Sequence, residues 1–209
     1  HCISSAASDV YKRQGYGCTL SEEQWKKGQE RIKEYDLEGQ VEIELIDYRD
    51  VAASGRTFDR IVSIGMLEHV GRPNFPLYME DASDMLKDGG LFLLHYISDP
   101  SEKETSAWIR KYIFPGGCLP SLREMVSLAY DYDMNVIDVE SLRYHYYKTL
   151  MHWYNNFQGV REQVEAKRGS EFVRMWDLYL CGCAAGFYIG NMDLHQICLL
   201  YTSDAADDM

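Results

Sequence analysis

The chain contains the sequence Phe58-Asp-Arg-Ile-Val-Ser-Ile-Gly-Met-Leu-Glu-His-Val-Gly71 and, further on, Leu86-Lys-Asp-Gly-Gly-Leu-Phe-Leu-Leu-His-Tyr-Ile97. Each part holds a short apolar run, and polar residues follow each run. Runs of this length are typical of strands buried in a sheet. Because open α/β sheets bind ligands at the carboxyl ends of their strands, the polar residues that follow are the first candidates for function.

The pattern in this segment predicts a strand, a helix and a second strand. The run Arg60–Ile64 stops at Gly65, which is typical of a buried parallel strand. Apolar residues at three- and four-residue intervals predict a helix over Phe75–Leu86. We expect Asp88–Gly90, which tolerates positive φ, to end that helix, and Leu91–Leu94 to form the second strand.

Two titratable side chains follow these predicted strands. Glu68 comes just after the first strand, and His95 and Ile97 come at the end of the second. Adjacent parallel strands deliver their carboxyl ends to one edge of a sheet, so Glu68 and His95 could share a pocket. An alternative is that Glu68 only supplies charge at a helix N-terminus and that His95 is a hydrogen-bonded core histidine. Geometry alone leaves both interpretations open.

Further segments have regular patterns of their own. The expected helices are Glu22–Tyr35, Leu122–Tyr130, Thr149–Phe157 and Glu162–Ala185, and the expected strands are Val41–Ile46 and Asn135–Leu142, the latter at a sheet edge. Ser21 followed by Gln24 has the spacing of a capping box, which by itself indicates only a helix N-terminus.

Several motifs together resemble cyclopropane-fatty-acyl-phospholipid synthases and the related mycolic acid cyclopropane synthases. The resemblance rests on Phe58–Gly71, Gly90–Ile97, Trp108–Ser121 and His145–Trp153, and it extends over nearly all of Tyr16–Ile197. Separated motifs in the same order are far more specific than one motif. The resemblance implies an α/β, Rossmann-like class I methyltransferase fold, with a mostly parallel sheet flanked by helices. The first strand and the glycine-rich turn of that fold are not found in this chain.

The resemblance also implies a reaction. S-Adenosylmethionine would donate its methyl group to the cis double bond of an unsaturated phospholipid acyl chain, and a proton would then leave so that a cyclopropane ring closes. The base implied by the family is a bound bicarbonate, whose ligands carry over onto Glu68, His95, the backbone of Ile97 and Tyr146. Bicarbonate has oxygens that accept from His95 and Tyr146 and a hydroxyl that donates to Glu68. Without the resemblance, Tyr146 would be read as a core aromatic residue.

The cofactor site is implied by the same resemblance. Residues expected along S-adenosylmethionine are Thr19, Leu20, Ser21, Gln24, Asp47, Tyr48, Ile64 and Gly65, with Asp47 and Tyr48 beside the adenine and with Ile64 and Gly65 at the floor. Each is only moderately specific, because many strand ends of α/β domains carry a polar residue.

The two ends of the chain are related to each other. Ser5–Gln14 can be encoded by a DNA sequence whose reverse complement encodes Cys198–Ala206. A DNA fragment flanked by inverted copies of one adapter has this property. We therefore expect residues 1–14 and 198–209 to derive from a sequencing adapter, and residues 15–197 to form a partial methyltransferase domain.

Composition excludes some classes of function. The chain carries 33 acidic and 21 basic residues, for a net charge of -12, which argues against a nucleic-acid partner. The six cysteines have no zinc-binding spacing, so no metal is expected. The absence of a bilayer-spanning run or signal peptide favours a cytoplasmic protein. The resemblance implies that it is peripheral to the inner face of the membrane. A homodimer is left open.

Two other functions remain as alternatives. Another S-adenosylmethionine-dependent C-, N- or O-methyltransferase acting on a small molecule would keep the fold without needing His95 and Tyr146 around an anion. An inactive truncated fragment is the second alternative.

Overall fold

The computed structural model describes residues 14–202, which divide into two compact units at the boundary between Thr57 and Phe58. Each unit has a sheet of its own. The elements of the first unit are β1 (Gly15–Thr19), α1 (Glu22–Glu34), β2 (Val41–Leu45) and α2 (Tyr48–Ala53). Those of the second are β3 (Phe58–Ile64), α3 (Leu67–Val70), a 3-10 turn (Arg72–Asn74), α4 (Phe75–Asp84), β4 (Leu86–Ser98), α5 (Ala107–Tyr112), α6 (Leu122–Asp131), β5 (Met134–Ser141), α7 (Arg143–Arg168), α8 (Ser170–Ile189) and β6 (Asp193–Tyr201).

The first unit is a β-α-β-α arrangement in which β1 and β2 pair in parallel. Helix α1 packs on β2 because the side chains of Trp25 and Gln29 both donate hydrogen bonds to the carbonyl oxygen of Ile43, at 3.0 and 2.9 Å. Ile32 of α1, Leu37 in the turn after it and Val51 of α2 are buried apolar residues of this unit. The predicted helix at Glu22 and the predicted strand at Val41 are both confirmed.

The second unit is built on a four-stranded sheet in the order β3-β4-β6-β5. Strands β3 and β4 are parallel, whereas β6 is antiparallel to both of its neighbours. Three of the four strands therefore run in the same direction, with helices packed against the sheet. The predicted α/β fold is confirmed, and β5 is an edge strand as expected.

The two faces of β4 have different surroundings. Phe92, Leu94 and Tyr96 are buried on one face, where Tyr78 of α4 contacts Phe92 with 6.3 Å between ring centroids. On the other face, Ile97 packs against an apolar cluster formed mainly by α7 and α8. The buried members of this helix-pair cluster are Leu150, Phe157, Val173, Leu180, Ala184, Phe187 and Leu194.

The boundaries predicted around β4 were partly wrong. The helix ends at Asp84, and β4 already begins at Leu86, so Asp88–Gly90 lies inside the strand and does not cap the helix. His95 and Ile97 consequently lie within β4 instead of after it. Strand β3 is parallel as predicted but not buried, because it is the edge of its sheet.

The helices after β5 also differ from the prediction. A single helix, α7, covers both the predicted segment Thr149–Phe157 and the start of the next one. The break comes at Gly169, whose φ of 86° permits the chain to leave one helix and enter another. Strand β6 was not predicted, although it lies in the middle of the sheet.

The segments expected to derive from an adapter fall largely outside the described residues, which begin at residue 14 and end at residue 202. Within the described part, Cys198–Tyr201 continues β6, and Leu199 is buried there.

Candidate active site

The end of β1 and the start of α1 form a hydrogen-bonded cluster. The Thr19 hydroxyl donates to Oε1 of Gln24 at 2.7 Å, and the backbone N–H of Ser21 donates to the same hydroxyl at 3.1 Å. Ser21 caps α1 by accepting from the N–H of Gln24. Leu20 is 73% exposed. The four residues predicted here thus lie together, with the Gln24 side chain bonded to Thr19.

The end of β2 places Asp47 and Tyr48 at the same edge of the small parallel sheet, because Thr19 pairs in register with Leu45. Asp47 caps α2 and also forms a 2.7 Å ion pair with Arg49. The guanidinium and the backbone N–H of Arg49 both donate hydrogen bonds to the Asp47 carboxylate. These bonds lower the pKa of Asp47, so its carboxylate stays ionised.

In the second unit, Ile64 and Gly65 lie beside His95. Ile64 pairs in register with His95, and the N–H of Gly65 donates to the His95 carbonyl oxygen at 2.9 Å. Gly65 has a φ of 64°, the left-handed conformation that favours glycine. The turn after β3 then leads directly into α3, which carries Glu68.

Glu68 is a buried carboxylate held at one oxygen. The backbone N–H of Ile97 donates to its Oε1 at 2.8 Å. Its Oε2 is buried and has no hydrogen-bond partner within residues 14–202. Burial raises the pKa of Glu68, and the Ile97 N–H opposes that shift only in part. The free oxygen is therefore available to accept a proton or a hydrogen bond.

Tyr146 lies at the start of α7, in the electrostatic reach of Glu68. Its ring packs against Phe187 with 4.9 Å between centroids and against Trp153 with 6.0 Å. Burial, and next the charge of Glu68, raise the pKa of Tyr146. Ile97 and Tyr146 pack against the same helix-pair cluster. A hydrogen bond thus joins Glu68 of α3 to Ile97 of β4, and Tyr146 of α7 packs against the same helix-pair cluster as Ile97.

His95 lies two residues before Ile97, on the same face of β4. Its Nδ1 is 3.0 Å from the side-chain nitrogen of Gln196 on β6. Burial lowers the pKa of His95, which keeps the ring neutral at neutral pH. Sequence reasoning missed Gln196, because β6 was not predicted and no spacing along the chain links residues this far apart.

The described residues place limits on other chemistry. Within residues 14–202, no group of three or more His, Cys, Asp or Glu side chains is arranged to hold a metal ion. None of the helices in this range combines the length and the apolar character needed to cross a membrane.

Comparison with known proteins identifies the family. A sequence model described as mycolic acid cyclopropane synthetase matches residues 2–197. The chain belongs to this family. A probable fatty acid methyltransferase of Pseudomonas putida is 39% identical over 201 residues, covering 93% of this chain and 51% of that protein. The cyclopropane-fatty-acyl-phospholipid synthase of Escherichia coli is 39% identical over 182 residues, covering 87% and 46%.

A solved structure of the family has the same fold. A mycolic acid cyclopropane synthase complexed with SAH and CTAB superimposes with a TM-score of 0.82 at 29% identity, covering 93% of this chain and 72% of that one. The Rossmann-like methyltransferase fold predicted from the sequence motifs is thereby confirmed. The chain spans about half the length of the curated relatives it matches.

Proposed function

We propose that the protein transfers a one-carbon unit from S-adenosylmethionine to the cis double bond of an unsaturated phospholipid acyl chain and closes a cyclopropane ring. Membership of the mycolic acid cyclopropane synthetase family supports this proposal. One observation supports it most: the buried carboxylate of Glu68 is fixed at one oxygen by the N–H of Ile97 and left without a partner at the other, and its charge helps to raise the pKa of Tyr146.

The residues of the second unit have separate tasks in this proposal. Ile97 orients the Glu68 carboxylate through its N–H, which is directed at Oε1. Tyr146 supplies a hydroxyl from an apolar wall, and that wall excludes water from the reacting carbons. His95 supplies a neutral imidazole, because burial disfavours its protonated form.

Bicarbonate fits these residues. While the Glu68 carboxylate is ionised, its free Oε2 can accept a hydrogen bond but cannot donate one, so it suits a donor such as the hydroxyl of bicarbonate. His95 and Tyr146 can donate to the remaining oxygens. When bound, bicarbonate would supply the base that removes the proton before ring closure.

S-Adenosylmethionine, when bound, would supply the methyl group. In the first unit we propose Thr19, Leu20, Ser21, Gln24, Asp47 and Tyr48 as its contacts, supported by their common edge of the small sheet. For the second unit we propose Ile64 and Gly65, supported by their position beside His95.

We propose that the acyl chain contacts an apolar surface between α7 and α8. An open surface depression of about 250 Å³ there is lined by Tyr147, Met151, Cys181, Ala184, Ala185 and Tyr188. No lining residue is charged, as an acyl chain requires. We propose that the protein meets this substrate at the inner face of the membrane, as a peripheral cytoplasmic enzyme.

The test uses the complete reading frame that carries this chain, because the relatives are about twice as long. The protein is incubated with trideuteromethyl S-adenosylmethionine and with vesicles of cis-monounsaturated phospholipid. We expect acyl chains that gain a cyclopropane ring and lose one deuteron of the methyl group. Vesicles of saturated phospholipid are the control and should gain no label.

Two substitutions show whether the site performs the reaction. Glu68→Gln should abolish labelling, while Glu80→Gln, at an exposed position of α4, should leave it unchanged. Retention of all three deuterons would indicate a methyl-branched product and would contradict ring closure. Label on a small molecule but never on lipid would favour the alternative methyltransferase.

A further inference from the structure

His95 and Gln196 face each other across two antiparallel strands. The register of β4 and β6 pairs them directly, so their side chains lie on the same face of the sheet. The side-chain nitrogen of Gln196 lies 3.0 Å from Nδ1 of His95. Gln196 is half-buried, and its strand is packed between β4 and β5. The contact is therefore set by the register of the sheet and does not depend on a loop.

The chemistry of the two groups decides where the histidine proton lies. An amide NH2 group can donate a hydrogen bond but cannot accept one, so Nδ1 of His95 must be the acceptor. In a neutral imidazole, the other ring nitrogen then carries the proton. Nε2 of His95 makes no hydrogen bond to any side chain or backbone group of residues 14–202 that the structure describes. Its N–H is therefore available to donate.

We propose that Gln196 is a positioning residue that holds His95 as the Nε2–H tautomer, so that the imidazole donates a hydrogen bond to the anion of the active site. The inference rests on the proposed function, because a fixed donor matters only where an anion binds. It also assigns His95 a role: a ring with its proton on Nε2 cannot accept a proton there. The base that removes the proton before ring closure must then be a different group.

The opposite arrangement would make a different prediction. A carboxylate or carbonyl oxygen at the position of the Gln196 nitrogen would accept from Nδ1–H and leave Nε2 as the basic atom, as in many enzymes that use histidine as a base. Glutamate has nearly the shape of glutamine but can only accept at neutral pH. Gln196→Glu therefore reverses the hydrogen bond with little change in volume.

The tautomer can be measured without any catalytic turnover. Long-range ¹H–¹⁵N correlation spectra of this chain, labelled at histidine nitrogens, report which nitrogen of each ring carries the proton. The His95 signals are those absent in His95→Asn. We expect protonated Nε2 and unprotonated Nδ1 in the unsubstituted chain, and protonated Nδ1 in Gln196→Glu. A Gln196→Met chain should populate protonated Nδ1 to a greater extent than the unsubstituted chain does.

A matched control is available in the first unit, where Gln29 donates one side-chain hydrogen bond to a backbone oxygen. Gln29→Met should leave the His95 spectrum unchanged. A protonated Nδ1 in the unsubstituted chain, or the same tautomer in all Gln196 variants, would overturn the proposal. If Gln196→Glu does not fold, the unsubstituted chain and Gln196→Met still decide the question.

Activity of the complete reading frame gives a second readout. In metal sites, removing the group that orients a ligating histidine typically costs about 10- to 100-fold in metal affinity or activity, and we take this as the scale for an orienting group here. We expect a loss of this size in kcat for Gln196→Met, with the KM for lipid unchanged. Unchanged kcat would overturn the role in catalysis. Because the tautomer is measured separately, failure of the proposed lipid activity would leave the tautomer result interpretable.

Discussion

The backbone N–H of Ile97 donates to Oε1 of Glu68 at 2.8 Å, while Oε2 of the same carboxylate is buried without a partner in the described part of the chain. In the charged form of Glu68, therefore, only one of the two carboxylate oxygens receives a hydrogen bond in place of the water lost on burial. Burial raises its pKa for this reason. A carboxylate retained in such a position lowers the stability of the fold, and its presence is better explained by chemistry than by packing.

We expect Glu68→Gln to raise the free energy of unfolding at about pH 7. The amide keeps an oxygen for the Ile97 N–H and removes the buried charge, so the gain should be about 1 kcal/mol. Because the folded-state pKa of Glu68 is raised, its protonated form is stabilising at low pH, and that stability is lost as pH rises through the raised value. The gain from Glu68→Gln should therefore shrink as pH falls towards 4.5. Urea denaturation at both pH values measures it. A destabilised Glu68→Gln chain at about pH 7 would contradict this account.

Buried histidines should make the chain less stable in mild acid. Nδ1 of His195 lies 2.8 Å from the Ser98 hydroxyl, and burial lowers the pKa of His195 below its ordinary value of 6.5. As pH falls through that value, the unfolded chain binds a proton that the folded chain does not, so stability decreases. His195→Gln should flatten this dependence relative to the unsubstituted chain, measured by denaturation between about pH 7 and pH 5.5. His152→Gln, at an exposed position of α7, is the control and should not change the slope.

Tyr146→Phe should distinguish the contribution of the Tyr146 ring to packing from the contribution of its hydroxyl to catalysis. The ring contacts with Phe187 and Trp153 remain in this variant, so the free energy of unfolding should change by less than about 0.5 kcal/mol. Loss of one donor to an anionic site should lower kcat of the complete reading frame by about 100-fold. Lipid labelling and thermal unfolding of the same preparation provide the two measurements. Equal losses in stability and activity would indicate a packing role only.

Substitution by alanine should change the stability of the chain in opposite directions at two glycines, Gly90 and Gly159. At Gly90 in β4, a Cβ would lie 2.6 Å from the carbonyl oxygen of Lys87, which is backbone and cannot turn away. Gly90→Ala should therefore destabilise the chain by about 1–3 kcal/mol. Gly159, inside α7, has open space at the same position, so Gly159→Ala should stabilise it by about 0.5–1 kcal/mol. Chemical denaturation of both variants tests the pair. A neutral Gly90→Ala would show that β4 can shift at this point.

Much of the fold could be predicted from sequence patterns because many helix and strand boundaries depend on residues only a few positions away. The run of β-branched residues before Gly65 and the cap at Ser21 each depend on neighbours a few residues away. The sequence pattern predicted one helix to end at Phe157 and another to begin at Glu162, and Gly159, a poor helix former, lies between them. Tertiary packing overrides that preference here, since Phe157 is buried in the helix-pair cluster on one side of Gly159 and Val164 packs against it on the other.

The candidate site could be predicted from sequence only in part. Glu68 and His95 follow apolar runs that predict strands, so the sequence pattern alone identifies them as candidate functional residues. Tyr146 was identified only through the family resemblance. The sequence pattern around it could not show its role, because its apolar surroundings come from helices distant in sequence. The partner of His95 could not be found, since pairing of Gln196 with His95 requires the register of β6 on β4. Val62 and Ile64 were expected to be buried but are 57% and 37% exposed, which follows from the place of β3 at the sheet edge.

Strand β6 lies between β4 and β5, although it is the last element of the described chain. During synthesis, β4 and β5 leave the ribosome before the strand that joins them, and the long helices α7 and α8 are made in between. The helix pair, whose contacts are local, can form early, whereas the unpaired edges of β4 and β5 stay open to association with other chains. The nascent protein should therefore depend on chaperones until the strand that begins at Asp193 has emerged.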